Sequence, residues 1–120
     1  MKAIETIKNL DVSVDAPSAK AYTLRAIALA ALASGKSTIR QPLLSEDQLH
    51  LVACIEKLGV NITRGEDLLE INGCNGHFSP VSDILDVGES GVSMNFLCSL
   101  ACLGDKKIIL TGAKSLCERP

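Results

Sequence analysis

Lys20 and Arg25 stand where a loop runs into a helix, in the stretch Pro17-Ser18-Ala19-Lys20-Ala21-Tyr22-Thr23-Leu24-Arg25. The first turn of a helix leaves backbone N–H groups unpaired and carries the positive end of the dipole, so such a start holds phosphate or carboxylate readily. Lys20 lies at the terminus itself, and Ala21 and Arg25, four residues apart, share one helical face. Both cations can therefore serve one anion. The two side chains read equally well as solvated charges, and a cation at a helix start costs about 0.3–1 kcal/mol. A second candidate is Gly88-Glu89-Ser90-Gly91, where glycine lets backbone amides approach a ligand. By itself that stretch is first a tight strand-to-helix turn with Ser90 as cap. A third is Lys114 to Arg119, just past a strand end, where α/β proteins place ligand-facing loops; surface charge is the commoner account.

Other chemistries have little to build on. His50 falls on a helix and His77 in a loop, and no motif joins either to a serine or cysteine nucleophile. Asp47 opens a helix, where the dipole favours a carboxylate. Cys54, Cys74, Cys98, Cys102 and Cys117 are odd in number and follow no secretory segment, so they read as small buried hydrophobes in a reducing cytoplasm rather than a disulfide framework or metal site.

The elements that must position these residues follow from pattern. Ile4, Ile7, Leu10, Val12 and Val14 predict a strand ending at Pro17, its second half alternating apolar and polar. Ala19 to Ala33 is rich in Ala and Leu and stops at Ser34-Gly35, which predicts a helix. Its part from Ala26 to Ala33 is apolar all round, so the expectation is burial on every side. Ser37 to Gln41 predicts a short strand. Ser45 and Gln48 form a capping-box pattern opening a second helix, amphipathic and ending at Gly59. Val60 to Thr63 and Leu68 to Ile71 flank Gly65-Glu66-Asp67 as a hairpin. Then come a strand at Ile84 to Val87, a helix at Ser90 to Leu103 and a strand at Lys107 to Leu110. The expected order is βαβαββ followed by βαβ, an α/β domain over residues 1–120 with no internal boundary.

Composition narrows the function classes. Hydrophobic residues make up 47% of the 120, enough for a packed core, while aromatics at 2% leave that core to Ala, Leu, Ile and Val. A net charge of -2 offers no field for nucleic acid, and Tyr22, Phe78 and Phe96 are too scattered to stack bases. The longest apolar run, Ala26 to Ala33, is too short to span a membrane. Neither nucleic acid nor a membrane is an expected partner, and any anion site must be local.

In their order these segments resemble the EPSP synthase family (3-phosphoshikimate 1-carboxyvinyltransferase). Pro17 to Ala26 is similar to the family's PGSKSxxxRA, and Gly35-Lys36 with Ser45-Glu46-Asp47 to its GK and SDD. Leu58-Gly59-Val60 falls where the family has LGV, Gly88 to Asn95 resembles GNAGTAMR, and Leu110-Thr111-Gly112 through Glu118-Arg119-Pro120 resembles LTG followed by ERP. The resemblance implies the inside-out α/β barrel of the enolpyruvyl transferases, built from βαβαββ units. It implies that this chain is the N-terminal portion of a longer two-domain enzyme, inactive when isolated and a cytoplasmic monomer when complete. The implied reaction moves the enolpyruvyl group of phosphoenolpyruvate onto shikimate 3-phosphate with release of phosphate, in aromatic amino-acid biosynthesis, with no cofactor and no metal. By the family pattern Lys20 would be catalytic and contact both substrates. Ala21 and Arg25 would lie at shikimate 3-phosphate, and Gly91 at phosphoenolpyruvate.

The sequence departs from the pattern at four of these places. Ala21 stands for a serine, Glu89 for an asparagine and Asn95 for an arginine, and the resemblance puts the phosphoenolpyruvate arginine at Ser115, with Lys114 adjacent. By the resemblance, the hydroxyl missing at Ala21 would bind shikimate 3-phosphate, and its loss would cost about 1 kcal/mol or more of ligand interaction. The competing expectation is a diverged member of the same fold that binds another anion or is not catalytic. A sister family that uses UDP-N-acetylglucosamine has a lysine-asparagine pattern at the helix start, which Lys20-Ala21 does not match.

Overall fold

A run of Ala and Leu without Gly or Pro makes α1, Lys20–Leu32, the centre of the computed structural model, which describes residues 3, 6 and 8–119. Leu24, Ile27 and Ala31 on its inner face are buried and pack with α2, Glu46–Lys57, whose Leu51, Val52 and Ile55 are also fully buried. Together these helices cover one face of an antiparallel sheet of β1 (Ser34–Arg40), β2 (Asn61–Arg64) and β3 (Leu68–Cys74), in the order β1-β3-β2. Register follows the apolar alternation of the central strand: Leu69 and Ile71 turn inward opposite Ile39 and Ile62. Glu70 takes the other face, where it pairs with Lys36 at 2.7 Å.

A second layer follows. β4 (Ile84–Asp86) and β5 (Ile109–Thr111) pair in parallel across the crossover helix α3 (Gly91–Ala101), and a single turn, α4 (Lys114–Cys117), closes the described chain. Leu85, Val87 and Leu97 join this part to the core beneath α2. The described order α1-β1-α2-β2-β3 and then β4-α3-β5 matches the expected arrangement from the first helix onward.

Four expectations change. Of the five cysteines expected to be buried, Cys54 is, Cys74 is half-buried, and Cys98, Cys102 and Cys117 are exposed. For the first strand, Ile4 and Ile7 lie outside the described residues, and residues 9–19 pair with no strand; Leu10, Val12 and Val14 are exposed. An alternating segment becomes a strand only when a sheet edge meets it, and among the described residues none does. α1 is not covered all round, because Leu29 is 67% exposed on its outer face. The turn at Lys114 to Cys117 was not expected: four residues carry too little periodicity to register in sequence.

Candidate functional site

α1 begins in an unusual way. Ala19 offers no side-chain cap, its first turn has no acid, and Lys20 occupies its first position. Compensation comes from α2. The Asp47 carboxylate forms an ion pair with Lys20 Nζ, and Gln48, fully buried, donates from Nε2 to the Lys20 carbonyl at 3.1 Å. Gln48 Oε1 also accepts from the Ser45 N–H at 3.2 Å, so the capping pattern read in the sequence fixes α2 and the Lys20 backbone together. Asp47 therefore does more than complement its own helix dipole.

The start of α3 lies opposite. Ser90 caps it by accepting from the Ser93 N–H at 3.3 Å, and the two hydroxyls meet at 2.7 Å in a buried pair. Gly88, at φ +58°, supplies the left-handed turn that the loop needs after β4. Its amide donates to Asp86 Oδ1 at 2.9 Å. His50 packs under this loop with Nδ1 3.3 Å from the Asp86 carbonyl; a carbonyl only accepts, so Nδ1 carries the proton. Cys54 donates to the same carbonyl at 3.2 Å. Burial pushes its thiol up to about 11, outweighing the opposing pull of Lys57, so it stays protonated and is no nucleophile.

These elements enclose a cavity of about 690 Å³. Lys20 and Asp47 form one wall, Glu89 with Gly91, Val92, Met94 and Asn95 the second, and Leu116 with Arg119 the third. Two cations and two carboxylates thus face one space beside the unpaired N–H groups of a helix start. Amides, an ammonium and a guanidinium on one space are the groups that suit a small carboxylate or phosphate. Among the described residues no group of three His, Cys, Asp or Glu could hold a metal ion.

Of the residues singled out in the sequence, Lys20 and Gly91 share this cavity. Ala21 is exposed beside it on α1. Arg25 points elsewhere: its Nη1 donates to the Ala21 carbonyl at 2.9 Å, and its side chain borders an apolar groove with Leu29, Leu32 and Phe96. Ser115 does not line the cavity; its hydroxyl donates to Glu89 Oε1 at 3.0 Å. Nor does Lys114, which is 88% exposed with Glu118 3.7 Å away. The basic side chain that the C-terminal segment brings to the cavity is Arg119, two residues past the end of α4 and three beyond the buried Leu116. In the sequence Arg119 was one charge of a charged stretch and part of the segment similar to the family's ERP, and neither signal showed that it turns toward the cavity.

Comparison with known proteins follows the same outline. The family model of EPSP synthase (3-phosphoshikimate 1-carboxyvinyltransferase) matches residues 4–120. A 3-phosphoshikimate 1-carboxyvinyltransferase of Methanobrevibacter smithii is 42% identical over 118 residues, covering 98% of this chain and 27% of that protein. One of Methanosarcina acetivorans is 43% identical over 107 residues, covering 89% of this chain and 25% of that protein. A solved EPSP synthase of Acinetobacter baumannii superposes with a TM-score of 0.79 at 30% identity, over 87% of this chain and 24% of that one. The chain spans about a quarter of the length of the relatives it matches.

Proposed function

The chain belongs to the EPSP synthase family, and from that premise we propose that it is the N-terminal portion of an enzyme that transfers the enolpyruvyl group of phosphoenolpyruvate to the 5-hydroxyl of shikimate 3-phosphate. In that transfer the hydroxyl oxygen bonds to the central enol carbon, the bond from that carbon to the phosphate oxygen breaks, and the hydroxyl proton leaves with inorganic phosphate. The observation that carries the reading is the convergence of Lys20, Arg119 and the start of α3 on one cavity. Arg119, Lys20 and the amide of Gly91 hold phosphoenolpyruvate there. Lys20 also reaches shikimate 3-phosphate, which lies along the face carrying Ala21 and Arg25; Arg25 serves it by leaving the Ala21 carbonyl. Ser115 acts through Glu89 rather than on substrate.

In this reading residues 1–120 fold as one unit of one domain, and a second domain supplies the remaining ligands across a cleft. The isolated chain does not turn over. The full-length protein works as a monomer in the cytoplasm and serves aromatic amino-acid biosynthesis. Among the described residues no helix is long and apolar enough to cross a membrane.

A second reading is favoured by one feature, the two carboxylates Asp47 and Glu89 that share the cavity with its cations. In a diverged member of the fold they would suit a different anion or no reaction at all. Calorimetric titration of the full-length protein with shikimate 3-phosphate separates the two, with an assay of phosphate release on adding phosphoenolpyruvate. Saturable heat and phosphate release are expected; no heat at millimolar ligand sinks the transferase.

A further inference from the structure

Two departures from the family pattern touch each other. Glu89 stands where the pattern has asparagine and Ser115 where it has arginine, and Ser115 Oγ donates to Glu89 Oε1 at 3.0 Å. The bond joins the loop after β4 to α4. A helix of four residues cannot hold itself in place, so its position comes from what it is tied to. Leu116 is buried, and the Ala113 N–H donates to the Gly88 carbonyl at 2.8 Å, which extends the β4–β5 pairing past the strand ends. These two ties anchor the near end of the turn. Arg119 lies two residues past α4, and its N–H donates to the Leu116 carbonyl at 3.2 Å, so the segment stays tied to the turn and a bond at Ser115 fixes the base from which Arg119 is aimed. Arg119 Nη1 then lies over the start of α3, 3.7 Å from where a β-carbon on Gly91 would sit.

We infer that Glu89 and Ser115 form a positioning pair for Arg119: the bond between them aims the guanidinium at the cavity, and the Glu89 charge weakens the grip on an incoming anion. The inference rests on the transferase reading for the identity of that anion, phosphoenolpyruvate. Glu89 faces Lys20, Asp47 and Arg119 across the cavity. Its charge therefore offsets a cation, and a neutral side chain of the same shape keeps the bond without the offset.

The test uses the full-length protein and its Ser115→Ala, Ser115→Thr and Glu89→Gln variants, with phosphate release and calorimetric titration by phosphoenolpyruvate. Ser115→Ala is expected to raise the KM for phosphoenolpyruvate about 3- to 10-fold, the scale of one lost hydrogen bond, with a smaller effect on kcat. Ser115→Thr keeps the hydroxyl and restores the parent value. Glu89→Gln keeps an acceptor oxygen and is expected to lower KM about 3-fold at low salt, the difference shrinking as salt rises. A parent that releases phosphate, with Ser115→Ala and Glu89→Gln both unchanged in KM, overturns the pair and leaves the transferase reading standing. Glu89→Gln with a raised KM overturns the charge assignment. A parent that binds phosphoenolpyruvate without turnover, and shows the same order of affinities, supports the pair and overturns the transferase. A parent that binds none overturns both.

Discussion

Gly88→Ala tests whether the loop leading from β4 to the cavity is as constrained as its geometry says. Gly88 sits at φ +58°, and a β-carbon built on it would lie 2.6 Å from His50 Nε2 and 2.8 Å from Cδ2. The left-handed conformation costs an L residue about 1–2 kcal/mol. The clash adds about 1–3 kcal/mol, the usual range for overpacking, because the imidazole is held on its other side by Nδ1 against the Asp86 carbonyl. The expected loss is therefore about 2–5 kcal/mol. His50→Ala alone gives up one hydrogen bond, about 0.5–1.5 kcal/mol. In the double variant the clash is gone, so its loss should fall short of the sum of the singles by about 1–3 kcal/mol. Urea unfolding of the full-length protein followed by circular dichroism measures all four corners, with the m-value checked for constancy. Gly88→Ala within about 0.5 kcal/mol of the parent, or strict additivity in the double variant, would refute the reasoning.

Other expectations follow from the same geometry. The Cys54 thiol, pushed up from 9.0 to about 11 by burial, stays protonated in the folded chain at a pH where the unfolded chain ionises. Its contribution is complete below about pH 9 and is lost as pH rises toward 11, on the order of 2 kcal/mol. Cys54→Ser should flatten the fall of Tm across that window. On the proposed transferase reading, Arg119→Gln should weaken phosphoenolpyruvate binding about 10-fold or more, whereas Lys114→Gln, on the exposed side of α4, should change it less than about 2-fold; equal effects in calorimetric titration would contradict the role proposed for Arg119. Ile71→Ala empties a fully buried position on the central strand and should cost about 2–5 kcal/mol in urea, with Thr63→Ala on the exposed face within about 0.5 kcal/mol of the parent.

What the sequence made legible was whatever depends on neighbours along the chain. The Ala and Leu run of α1, the Ser45 and Gln48 cap and the alternation of Leu69 and Ile71 each carry their own instructions, and the described elements match them. Long-range partners were not legible. Leu10, Val12 and Val14 alternate as a strand should, yet pairing needs an edge that residues 9–19 do not meet. Leu29 belongs to an apolar run, and composition cannot say which of its faces a neighbour covers. Within the cavity, the places of Lys20 and Gly91 at helix starts could be read from the sequence. The pairing of Lys20 with Asp47 across 27 residues, and the inward turn of Arg119, depend on packing between elements distant in sequence.

If the cavity takes an anion as proposed, the Lys20 and Asp47 pair gives its capture the character of an exchange. An ammonium free in solvent must shed water and settle into one of many rotamers before it grips an anion. Here a carboxylate already holds it, with half of its side chain still open to solvent. An arriving phosphate or carboxylate takes over a contact that Asp47 gives up, so fewer rotamers are lost and less charge is newly neutralised. The association rate should therefore depend only weakly on ionic strength, unlike that of a bare cationic funnel.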